Sequence, residues 1–67
     1  MKVQDVELKR GDKFLVGEDT AVYWFHSVTI NEDHGFLELN AICPDYGTMP
    51  GFRIDTMKAN GLYITKL

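Results

Sequence analysis

Two long runs dominate the middle of the chain, AVYWFHSVTI over residues 21–30 and FLELNAI over 36–42, and NEDHG joins them. Both are rich in β-branched and aromatic residues and neither carries a helical repeat, so they read as two strands of one hairpin. Side chains alternate between the faces of a strand, and the length of the connecting loop therefore decides which half of each run is buried. Glycine at the last loop position suits a four-residue loop, Glu32-Asp33-His34-Gly35, with Asn31 opposite Phe36. That register sets Ile30 opposite Leu37, Val28 opposite Leu39, His26 opposite Ala41 and Trp24 opposite Cys43, an apolar face that continues to Val22 and is the expected core. The other face pairs Thr29 with Glu38, Ser27 with Asn40 and Phe25 with Ile42, and sends Tyr23 and Phe25 outward. A five-residue loop exchanges the faces, aligning Tyr23 and Phe25 with Leu37, Leu39 and Ala41.

Around this hairpin, Gly11, Gly17, Gly35, Pro44, Gly47, Pro50, Gly51 and Gly61 cut the chain into short runs, leaving room for about five strands. Val6 and Leu8, then Phe14 and Val16, flank a turn at Arg10-Gly11-Asp12. The segment PDYGTMPG reads as an irregular connection, and Pro44, which has no N–H to donate, should end the pairing near Cys43. FRID alternates Phe52 and Ile54 against Arg53 and Asp55; TMKANG follows as a tight turn or a short helical turn over residues 56–59, and LYITKL closes as a last strand. The early Leu8-Lys9-Arg10-Gly11-Asp12-Lys13-Phe14 run resembles the Gly-Asp turn of SH3-like barrels, and the order strand, single turn, final strand is similar to their C-terminal end. The expected fold is all-β: one small domain over residues 1–67, either an SH3-like barrel or a strongly bent five-stranded antiparallel sheet.

A chain of 67 residues has room for one core and buries only about 60% of the surface its unfolded form exposes. A hydrophobic content of 45% beside 25% charged residues is enough to drive folding and lies outside the composition of disordered chains. The single Cys43 forms no internal disulfide, and with two histidines at no ligand spacing it makes no zinc pattern. The N-terminal MKVQDVELKR lacks an apolar signal core and no run approaches a membrane span, so the expected location is cytoplasmic.

The net charge of −3 is unevenly spread. No lysine or arginine lies between Lys13 and Arg53, whereas Glu18, Asp19, Glu32, Asp33, Glu38 and Asp45 all do. Affinity for nucleic acid rests on cations that neutralise phosphates, so the central strands argue against a backbone-tracking surface. A single-stranded nucleic-acid barrel is the alternative, with Arg10, Lys13, Arg53 and Lys58 on phosphates and aromatics under bases.

Chemistry-bearing residues are sparse. His26 sits in a strand without a carboxylate to orient it and reads as a packed histidine, and His34 reads as a solvated loop-tip residue. Cys43, facing an indole in the expected pairing, has nothing to stabilise a thiolate. The acidic pairs follow no calcium-loop spacing. No catalytic residue, metal or cofactor is expected. What remains is Tyr23, Phe25 and Ile42 with Tyr46 and Met49, an apolar patch in an acidic surround that reads either as a partner-binding site or as second-layer packing. The expectation is a small non-enzymatic protein-interaction module, of the size common among accessory proteins of phages and mobile elements. A third reading is a self-assembling subunit or homodimer that pairs an edge strand or the patch with its own copy.

Overall fold

The computed structural model describes all 67 residues, Met1–Leu67. Five strands form one antiparallel sheet: β3 (Lys13–Val16), β4 (Tyr23–Asn31), β5 (Phe36–Ile42), β6 (Gly51–Arg53) and β7 (Ile64–Lys66), in the order β6-β5-β4-β3-β7. A two-stranded hairpin precedes them, β1 (Lys2–Val3) with β2 (Val6–Glu7). A helical turn, α1 (Ile54–Met57), continues as a 3-10 turn over Lys58–Asn60, two residues earlier in its start than the sequence pattern indicates. The edge strands β6 and β7 do not pair with each other, so the sheet is bent and open rather than a closed barrel.

The β4–β5 loop has four residues, as glycine at its end requires: Gly35 takes a positive φ of 74° and its N–H donates to the Asn31 carbonyl at 2.7 Å. From Asn31↔Phe36 to Ser27↔Asn40 the pairing is the expected one. Then one residue, His26, is left without a partner, and pairing resumes at Phe25↔Ala41 and Trp24↔Ile42. This β-bulge sets two residues of β4 against one of β5 and changes the parity of everything before it. Beyond the bulge the expected faces are therefore reversed: Tyr23 and Phe25 are buried, and Trp24 points outward with 41% of its surface exposed.

The bulge brings the apolar residues of β4 onto one face, Tyr23 and Phe25 before it and Val28 after it. They join Phe14 and Val16 of β3, Leu39 and Ala41 of β5, and Ile64 of β7. Phe14 stacks on Tyr23 with ring centroids 5.9 Å apart, and Phe52 meets Tyr23 edge-on at 5.6 Å. The cluster is completed by Val3 and Leu8 from the N-terminal segment and by Met57 of α1, each at 1% exposure. These elements cover one face of the sheet only.

The N-terminal hairpin is a feature the punctuation does not announce. Its turn residues Gln4 and Asp5 have φ of 53° and 64°, left-handed values that a two-residue hairpin turn needs and that non-glycine residues seldom adopt. The Gln4 amide offsets that cost. Its Nε2 donates to the Leu62 carbonyl at 2.8 Å while its Oε1 accepts from the Ile64 N–H at 2.9 Å, so one side chain satisfies the outer edge of β7. Lys66 ties the same region down, donating to the Glu7 carbonyl at 3.0 Å and lying 3.3 Å from the Asp12 carboxylate. Replacing Gln4 with Ala should cost about 1–3 kcal/mol in urea unfolding, because two partly buried backbone groups lose their partners. Gln4→Gly should be less damaging than Gln4→Ala by about 1 kcal/mol, since glycine accepts the left-handed backbone.

Candidate functional site

The outer face of the sheet has no layer over it, and the register shows what it presents. Lys13 pairs with Trp24 and Trp24 with Ile42. The β5–β6 register carries on through Ala41 N–H to Pro50 carbonyl at 3.0 Å and through the Cys43↔Thr48 bridge, which puts Met49 opposite Ile42. On the other side, the Leu67 N–H donates to the Lys13 carbonyl at 3.0 Å and extends the β7 register, so Leu67 stands opposite Lys13. A single row thus crosses the sheet as Leu67, Lys13, Trp24, Ile42 and Met49, about 19 Å long at four strand spacings. Leu67 is 63% and Met49 70% exposed, and Ile42 is half-buried between Trp24 and Met49. The Lys13 ammonium lies 5.6 Å from the indole centroid and brings a positive charge to the centre of the row.

The rest of that face, toward the β4–β5 loop, is polar and satisfied internally. Asn40 donates to Thr29 Oγ1 at 2.9 Å and to Ser27 Oγ at 3.4 Å, and Asn31 donates to Glu38 at 3.1 Å. Arg53 grips Asp55 with two bonds of 2.7 and 3.0 Å and lays its guanidinium over Phe36, 4.5 Å from the ring centroid. This pairing holds the Asp55 carboxyl below its ordinary range and raises Arg53. At the opposite end of the sheet, the β3–β4 and β5–β6 connections carry Glu18, Asp19 and Asp45, none with a cationic partner within salt-bridge distance, and Asp19 accepts from the Ala21 N–H at 2.9 Å and the Tyr23 hydroxyl at 3.2 Å. Tyr46, 67% exposed, lies in the second of these turns.

Of the residues singled out in the sequence, Ile42 and Met49 are neighbours on the outer face, with Tyr46 in the adjoining turn. Tyr23 and Phe25 are corrected: the bulge at His26 turns both inward, at 8% and 6% exposure. Trp24 takes their place. The missed signal is the spacing of Tyr23, Phe25, Val28 and Ile30, an alternation broken once by a single extra residue.

The four basic residues weighed for nucleic acid are spread out rather than clustered. Arg10 and Lys13 flank the start of β3, whereas Arg53, engaged by Asp55, lies on β6, three strand spacings or about 14 Å across the sheet. Lys58 sits apart, in the 3-10 turn. His26 Nδ1 shares a 2.9 Å hydrogen bond with Ser27 Oγ, and His34 stacks on Phe36 at 5.9 Å. Cys43 is a fully buried free thiol, and no three His, Cys, Asp or Glu side chains gather as a metal site. No helix is long and apolar enough to cross a membrane. No family model, no curated protein and no solved structure matches the chain.

Two measurements test this arrangement. Trp24 is the only tryptophan, so its fluorescence should show the red-shifted emission of a wet indole and ready quenching by acrylamide; a blue-shifted, protected emission would return Trp24 to the core. The Tyr23 phenol donates to Asp19 at 3.2 Å, and burial first, then that bond and the Asp19 charge, hold it above its ordinary 10.0. A raised folded-state value means its contribution is complete below pH 10 and is lost as pH rises through that value. In urea unfolding followed above pH 10, Tyr23→Phe should therefore lose stability less steeply than the wild type.

Proposed function

We propose that this chain is a small non-enzymatic protein-interaction module that docks on a larger partner through the outer face of its open sheet. One observation carries the reading: Trp24, Ile42, Met49 and Leu67 stand in one row on a face that no other element covers. A tryptophan under a lysine ammonium and flanked by flexible and branched apolar groups is the composition of an interface centre, where large side chains exclude water and a few of them supply most of the binding energy. The polar half of the face, already bonded within itself, is suited to a rim. Glu18 and Asp45, exposed without a cation in the turns at the opposite end of the sheet, favour a partner whose own apolar surface is bordered by lysine and arginine, which speeds encounter and fixes orientation. The setting we propose is the cytoplasm and the role that of an accessory or modulator protein, with the partner supplying the activity that is modulated.

The experiment is affinity capture from the native host, then calorimetry with the purified partner. Trp24→Ser combined with Met49→Ser should keep the wild-type melting profile, because both side chains lie outside the core, and should weaken binding by a hundredfold or more. Tyr23→Ser, in contrast, should unfold the domain at lower temperature. Binding unchanged by the double substitution overturns the proposal. A low-salt fluorescence titration with single-stranded RNA or DNA in which Trp24 is quenched would replace it with the nucleic-acid reading.

A further inference from the structure

The pairing between β3 and β4 stops beside the bulge at His26, where the chain ahead of β3 turns through Lys9–Asp12. β3 meets β4 at Tyr23 and Trp24, and the last bonds on that side join Phe25 to Asp12 and Gly11. From Ser27 to Asn31 no strand lies along β4 on the β3 side. Native edges are ordinarily blunted by charge, proline or a covering element. This one, Ser-Val-Thr-Ile-Asn, has neither charge nor proline, and Thr29 and Ile30 are exposed along it.

We infer that β4 pairs through this edge with β4 of a second copy, antiparallel about a two-fold axis at Thr29. Pairing about Thr29 sets Ser27 opposite Asn31, Val28 opposite Ile30 and Thr29 opposite its own counterpart. Polar side chains then meet polar ones on the outer face and apolar ones meet on the inner face. The inner match extends beyond the two edge strands. Ile30 pairs with Leu37 in its own chain and Val28 with Leu39, so a continuous row forms: Leu37 and Ile30 of one copy, then Val28 and Leu39 of the other. Ile30 and Leu37, 65% and 48% exposed at the end of the monomer's hairpin, thereby gain apolar neighbours.

Charge complementarity favours a second copy over a generic strand. The same register brings Glu32 of the second copy opposite His26, with Asp33 following. The group beside His26 is Arg10, whose Nε donates to the His26 carbonyl at 3.3 Å. Arg10 has no carboxylate partner in its own chain, and neither Glu32 nor Asp33 has a cation. The two-fold axis makes that contact twice. This edge is distinct from the Trp24 row, so the dimer and the partner site stand or fall separately.

Sedimentation velocity on the full chain should give twice the 7.7 kDa monomer mass at high micromolar concentration. Thr29→Lys puts like charges on the axis and, in the monomer, faces Glu38; it should leave the melt intact and weaken the dimer at least tenfold. Arg10→Glu should weaken it similarly, and adding Glu32→Arg should restore it. Under mild oxidation Thr29→Cys should cross-link to itself and Ser27→Cys should not, because only residue 29 meets its own counterpart. A wild-type chain that stays monomeric into the hundreds of micromolar overturns the inference. So does a dimer indifferent to Thr29→Lys, or an Arg10→Glu defect that Glu32→Arg does not repair.

Discussion

One unpaired residue, His26, organises the molecule. Without it, a strand as long as β4 would keep one parity from end to end, and its two apolar sets would lie on opposite faces. With it, Tyr23, Phe25 and Val28 share the inner face and the nine-residue strand bends over the core. The displacement that buries Tyr23 and Phe25 is the one that turns Trp24 to solvent. Next to the bulge the chain ahead of β3 turns at Lys9–Asp12, leaving residues 27–31 as an edge. Core and exposed row are two results of the same insertion.

The rest of the fold reflects how little a chain of this size can cover. Val3, Leu8, Met57 and the sheet's inner face consume the apolar side chains available for a core, so one face of the sheet is sealed and the other is left open. Of the two outer strands, β7 is closed by a side chain instead of a strand. Gln4 reaches it from a left-handed turn that would be unfavourable by itself. That turn and the β7 edge stabilise each other: the backbone strain is tolerated because the amide it positions satisfies two backbone groups at once.

Electrostatics follow the same division. Glu7, Asp12 and Asp55 have cationic partners, the N-terminus, Lys66 and Arg53, and their carboxyls are held below the ordinary range by those partners and by hydrogen bonds. For Glu7 and Asp55 the largest effect is the bond to the cation; for Asp12 it is the Lys9 N–H at 2.8 Å. Glu7 and Asp55 are exposed and Asp12 is partly so, and pairs at such surfaces contribute little to stability. Among the acids without a cation, Glu18 and Asp45 lie in the turns at one end of the sheet and Glu32 and Asp33 at the hairpin tip, exposed where they can act between molecules.

Much of the fold was legible locally. β-branched and aromatic runs punctuated by glycine and proline specified an all-β chain. Gly35 specified the four-residue loop and with it the register from Asn31↔Phe36 to Ser27↔Asn40, because a glycine at a left-handed position acts within a few residues of itself. Ile42, Met49 and Tyr46 were likewise recognisable as surface apolar residues. Two features were decided only in three dimensions. The bulge forms because Tyr23 gains Phe14 and Phe52 as neighbours and Phe25 enters the same core, contacts with residues distant in sequence, and no local preference at His26 demands it. The Gln4-Asp5 turn forms because Leu62 and Ile64 lie some sixty residues further along the chain, within reach of the Gln4 amide. Alternation in the sequence thus determined that there would be a buried face and an exposed one, and tertiary packing decided that Trp24 would stand on the exposed side.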